Sequence, residues 1–165
     1  MDDHRTEQIL DAVVIAITGL DTTGANVERG RVYPWSDSQA RALTVDQGAA
    51  SPVNEPDWNH QDVEQEIRIT AHVKANPDLF GGAFSSEFAT DHDIGSTYAR
   101  EINVISKEVY IAMMADRTLG LDFVIDTQWL GNTEPELTGD SEAVTVRMDM
   151  LFTTTYRHSL TDPSQ

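Results

Sequence analysis

No cysteine occurs among the 165 residues. That excludes disulfides and thiolate chemistry. The opening Met1-Asp2-Asp3-His4-Arg5 lacks the basic-then-apolar layout of a signal peptide, so the expected setting is assembly in a cytosol. No segment approaches the ~20 consecutive apolar residues of a membrane span. Basic residues are scarce, 11 against 28 acidic, for a net charge of −17 and a pI near 4.3. Duplex DNA binding draws on clustered Lys and Arg that displace counterions, and here they are few and scattered. Two readings of the acidity stand side by side. One is solubility or a saline host; the other is a surface that must stay slippery toward nucleic acid.

Catalytic signatures are also missing. His4, His60, His72, His92 and His158 include no pair at i, i+4, so no HExxH-like zinc site exists. GxSxG, GxxxxGKS and GxGxxG are absent. Asp91-His92-Asp93 with Gly95 resembles the start of a calcium loop but lacks the later oxygens and the closing Glu; a solvated acid cluster in a loop is the expectation. Gly81-Gly82 reads as a hinge or turn. Asp126 and Asp149 fall on strands, where two carboxylates can do acid–base work, but each lies on the polar face, with solvent or Arg147 as partner. No metal and no cofactor is expected.

What the chain does have is a long alternating run, Ala143 to Tyr156. Val144, Val146, Met148, Met150, Phe152, Thr154 and Tyr156 share one face of an extended strand, and the residues between them share the other. Glu64 to Ala75 is a second such strand, with Ile67, Ile69, Ala71 and Val73 inward. Ala42 to Val45 is a short strand closed by Asp46-Gln47-Gly48, and Asp122 to Leu130 a further one with Phe123, Ile125, Thr127 and Trp129 inward. Val27 to Trp35 breaks at Pro34, which suits an edge strand or an ordered arm.

Two helices are expected. The first spans 3–20, capped by Asp3, striped by Ile9, Val13, Ala16, Ile17 and Leu20, and ended by Gly19 or Gly24; a strand over 12–17 is the alternative. The second spans Tyr98 to Asp116, capped by Ser96 or Thr97, with Tyr98, Ile102, Ile105, Val109, Ala112 and Met113 as its stripe. Residues 49–60, 79–97 and 131–142 read as loops. No repeat or linker appears, so one domain is expected over 1–165. Strands in runs, without regular helix alternation, imply α+β: a mostly antiparallel sheet with two helices packed on one face.

Five aromatics are candidate interface residues. Trp35 and Trp58 sit in proline-flanked loops, as binding-surface aromatics or as lids closing the ends of the core. Phe80, Phe84 and Phe88 recur at four-residue spacing, as a helical turn capping the core or as an anchor into a neighbouring subunit.

Four stretches follow one another in a telling order: RTEQILDAVVIAITGL (5–20), NVERGRVYPWSD (26–37) leading to ALTVDQG (42–48), VEQEIRITAHVKA (63–75), and YAREINVISKEVYIAMMAD (98–116) with its strand, acidic loop and final strand ending FTTTYRH (152–158). In this order the chain resembles the tail terminator, or tail completion, proteins of long-tailed phages. The Val-x-x-Gly of that family reads here Val45-Asp46-Gln47-Gly48, and the loops 49–60 and 79–97 depart from its pattern. The resemblance implies a non-enzymatic virion protein at the head-proximal end of the tail, assembled in the host cytoplasm. Such a protein forms a hexameric ring on the tail tube protein, stops its polymerisation and joins a neck or head-completion protein. DNA passes through without specific binding, and no membrane is involved. Physically, an acidic lumen lets a genome slide. The alternatives are a neck or head-completion connector, a small enzyme using Asp126 and Asp149, and an acidic non-viral binding module.

Overall fold

The computed structural model describes residues 4–31, 33–36, 38–56, 58–74, 91–138 and 145–161, with 91–97 described by backbone alone. Helix α1 spans Arg5–Ile17. Its N-cap is His4, whose Nδ1 accepts the amide of Thr6 at 3.2 Å; Asp3, the expected cap, lies outside the described residues. Ile9, Leu10, Val13 and Ile17 are buried, so the 3.6-residue period prevails over the β-branched run Val13-Val14-Ile15. Past the helix the backbone turns through Gly19, at φ +88°.

The strands are β1 (Val27–Arg29), β2 (Arg41–Pro52), β3 (His60–Lys74), β4 (Val124–Asn132), β5 (Glu136–Thr138) and β6 (Thr145–Ser159), with α2 (Asp91–Ala115) between β3 and β4. Sheet order is β1-β2-β3-β6-β4, with β5 also paired to β6. Only the short edge strand β1 is parallel to its neighbour; β2, β3, β6, β4 and β5 pair antiparallel. The fold is α+β, as expected, and the long final strand is central. Val146, Met148, Met150, Phe152 and Tyr156 on β6 join Ile67, Ile69, Ala71 and Val73 on β3 in one core with the stripes of both helices.

Ion pairs and hydrogen bonds fix the helices in place. Arg29 on β1 reaches Glu7 and Asp11, one turn apart on α1, at 2.7 and 2.6 Å. Thr22 gives its amide and hydroxyl to Glu108 on α2 at 3.1 and 2.7 Å, and Arg41 reaches Glu101 at 2.8 Å.

Four expectations are corrected. First, β2 does not close at Gly48: it continues to Pro52, so the loop 49–60 shrinks to the hairpin turn 53–59. The register shifts between Gln47 and Ala50, a bulge with one extra residue on β2. Gln65, fully buried, sends Nε2 to the carbonyls of Gly48 and Ala49 at 3.0 and 3.2 Å. Backbone groups freed by the bulge are thus satisfied, and the strand carries on.

Second, α2 begins at Asp91, before the expected caps Ser96 and Thr97. Gly95 inside a helix costs only about 1 kcal/mol. The same helix removes the loop that a calcium site at Asp91-His92-Asp93 would need. Third, β4 carries bulges between Val124 and Asp126 and between Trp129 and Gly131. The first puts Val124 on the core face with Thr127 and leaves Ile125 exposed, against a strict alternation; Trp129, opposite Phe152, keeps the core face but is half-exposed at the sheet edge. Fourth, the acidic loop 131–142 contains the short strand β5.

Candidate functional site

The expected aromatics are not brought together. Trp35 is buried, 6% exposed, whereas Trp58 is 96% exposed. Trp35 sits at the Lys74 end of β3, since Lys74 Nζ donates to its carbonyl. Trp58 lies in the turn before the His60 end. Fifteen residues of strand at ~3.3 Å each set those ends roughly 45 Å apart. Phe80, Phe84 and Phe88 lie outside the described residues. Trp129, expected in the core, stands half-exposed at the edge strand, edge to face with Tyr110 at 5.4 Å between ring centres.

The carboxylate pair does not form. Asp126 is opposite Thr155 on β6, six residues from Asp149 along that strand, or roughly 20 Å. Asp126 accepts from Arg117 at 2.5 Å and Gln128 at 3.0 Å. Asp149 accepts from Thr70 Oγ1 at 2.9 Å and lies 3.3 Å from Arg147 and 3.7 Å from Arg68. Each is neutralised locally by arginine, which is a structural use. Among the described residues no group of three or more His, Asp or Glu is placed to hold a metal, and no helix is long and apolar enough to cross a membrane.

A built concavity exists elsewhere, on the sheet face away from the helices. Ile69, Ala71 and Val73 point to the core, so Thr70, His72 and Lys74 point the other way. After Gly30 (φ +53°), Arg31, Tyr33, Pro34 and Trp35 share a cleft with them. The cleft, open to solvent, measures about 350 Å³ and is also lined by Thr44 and Arg147, with Asp46 on its wall. Arg31 stacks over the Trp35 ring at 4.0 Å, a cation–π contact, and pairs with Glu28. His72 Nε2 lies 3.2 Å from Thr44 Oγ1. Burial first, then the positive charges of Arg147 and Arg31, push the His72 imidazole down to about 4. The indole Nε1 of Trp35 is buried and has no partner among the described residues.

Three of the 11 basic residues thus meet at one cleft. Strand alternation identifies His72, Lys74 and Arg147 as one polar face. Arg31 comes from a segment whose path no local pattern reveals, so the cluster was not legible in sequence.

No protein-family model and no curated protein matches the chain. Among solved structures it is similar to a chain of the "Virion of native gene transfer agent (GTA) particle", at 13% identity and TM-score 0.37, over 93% of this chain and 90% of that one. A likeness at that level carries no argument about what this protein does.

Proposed function

We propose that the protein is a tail terminator of a long-tailed phage or phage-like particle. It caps the tail tube as a ring, hexameric when assembled, stops tube polymerisation and presents its outer surface to a neck or head-completion protein. The observation that carries this reading is the β2–β3 hairpin. It extends beyond the bulge at Gly48, where Gln65 braces it, and holds Trp58 almost wholly in solvent. An aromatic that the chain's own core does not bury, on a braced projection, is suited to anchor a protein partner.

Other features agree with the reading. The four sequence stretches follow the terminator order, the net charge suits a lumen through which DNA slides, and the separation of Asp126 from Asp149 counts against the paired-carboxylate alternative. Phe80, Phe84 and Phe88 remain part of the proposed contact surface on sequence grounds alone. The test is electron microscopy of tail tubes grown with and without the protein. Terminal rings and a fixed tube length support the terminator. Binding to the connector protein with none to the tube protein, in a pull-down, supports the neck reading instead.

A further inference from the structure

The sheet has two open edges at the same height. Among the described residues β4 is paired on one side only, to β6, and β2 has β1 beside it only at Leu43, Thr44 and Val45. Register across the sheet sets the heights. Trp129 stands opposite Phe152, Phe152 opposite Ile67, and Ile67 opposite Gln47. By the same steps Thr127 is level with Ala50, and Val124 with Pro52. Residues 46–52 of β2 and 124–131 of β4 thus form one band at opposite ends of the sheet. We infer that these edges join: β4 of one copy of this chain pairs antiparallel with residues 46–52 of β2 in the next copy. The inference rests on the ring reading above and names the contact that would close the ring.

Strand direction fits a head-to-tail junction. β2, β3, β6 and β4 are successively antiparallel, so β4 runs opposite to β2. Placing the next copy's β2 beside β4 continues the alternation and keeps both helical layers on one side. The two surfaces differ, so the contact is heterologous, the kind that closes into rings when the rotation permits. Level edges add no step from copy to copy, which favours closure over a climbing filament.

Charge selects a second copy as the occupant. Chains of net −17 repel one another and approach closely only where charge is missing. Gln47 to Pro52 contains no charged residue, and Asp46, which bounds that stretch, stands opposite Arg68. β4 contains one charge, Asp126, neutralised by Arg117 at 2.5 Å. Inside the sheet, β3 carries Asp62, Glu64, Glu66, Arg68 and Lys74. Edges that stay single are guarded by charge, Lys above all, or by bulges. Here charge is depleted at the edges, and the bulges also supply the curvature that a closing sheet needs. Side chains agree. Trp129, half-exposed against Tyr110, is level with Gln47, next to Gly48, Ala49 and Ala50, which are small enough to leave room for an indole. Ile125 and Leu130, exposed at the bulges of β4, lose water in the same contact.

The absence of cysteine makes the test clean. One population of the full chain carries Gln128→Cys, at the middle of β4, and another Ala49→Cys; both positions are exposed. Mixed and oxidised with diamide, they should give disulfide heterodimers at least tenfold above a mixture in which Ile15→Cys, exposed on α1, replaces Ala49→Cys. Gln128→Cys alone should give no more dimer than that control, because only β4 pairing with β4 about a two-fold axis brings two such positions together. Ser51→Lys, an exposed guard on the β2 edge, should cut the heterodimer yield at least tenfold while the thermal melt stays at the parent's. Gln47→Lys, exposed on the same edge, gives the same reading if Ser51→Lys fails to fold. A heterodimer yield equal to the Ile15 control, abundant dimers of Gln128→Cys alone, or indifference to the edge lysine would overturn the junction. Those results leave the terminator reading standing, whereas specific cross-linking with no control of tube length would remove that reading and keep the junction.

Discussion

A Cβ placed on Gly48 would lie 2.7 Å from the Cβ of Glu66. Each Cβ is bonded directly to the backbone of a paired strand, so neither retreats without disturbing the bulge. Gly48→Ala should destabilise the protein by about 1–3 kcal/mol, the usual cost of overpacking. Urea unfolding checks it, through a lower midpoint at unchanged slope. The glycine of the Val-x-x-Gly motif thus has a steric reason: it lets β2 pass close to β3 at the bulge.

The two tryptophans should separate stability from assembly. Trp35→Ala removes a buried ring and should cost about 3–5 kcal/mol. Trp58→Ala should change stability by no more than about 0.5 kcal/mol while weakening ring formation on tubes. Thermal melts and tube-binding assays on the same two variants give both readings.

Acid should weaken the fold through His72. The unfolded chain takes up a proton near pH 6.5, the folded chain only near pH 4. Between those values the unfolded state binds more protons, so stability falls as pH falls through that window. Complete loss would approach about 3 kcal/mol at ~1.4 kcal/mol per unit, and less in practice because the ring is not wholly enclosed. His72→Gln should flatten the dependence between pH 6.5 and 4.5 relative to wild type, measured by urea unfolding at each pH.

Asp126 and Asp149 should behave as strangers. Asp149→Asn should destabilise by about 1–3 kcal/mol, because its side chain is 14% exposed among Thr70, Arg68 and Arg147. A double-mutant cycle with Asp126→Asn should give a coupling below about 0.5 kcal/mol, as for distant sites. A larger coupling would revive the paired-carboxylate reading.

Where side-chain period alone decides an element, the sequence was sufficient. The faces of β3, β6 and α2 follow directly from alternation or a 3.6-residue stripe. Where backbone irregularity decides, it was not. The bulge at Gly48 extended β2 beyond an apparent stop, and the bulge at Ile125 reversed the faces of β4 only ahead of Asp126, so Val124 went in and Ile125 came out while Thr127 stayed inward. A bulge is set by cross-strand contacts such as Gln65 with Gly48 and Ala49, which local pattern does not contain. The cleft was hidden for a related reason, since Arg31 and Arg147 meet only through the path of the segment after β1.

Tube-length control tests the central claim most directly. Tail tube protein polymerised with this chain, imaged by electron microscopy, should give tubes of uniform length, each ending in a ring. Tubes of unlimited length without terminal rings would contradict the terminator function.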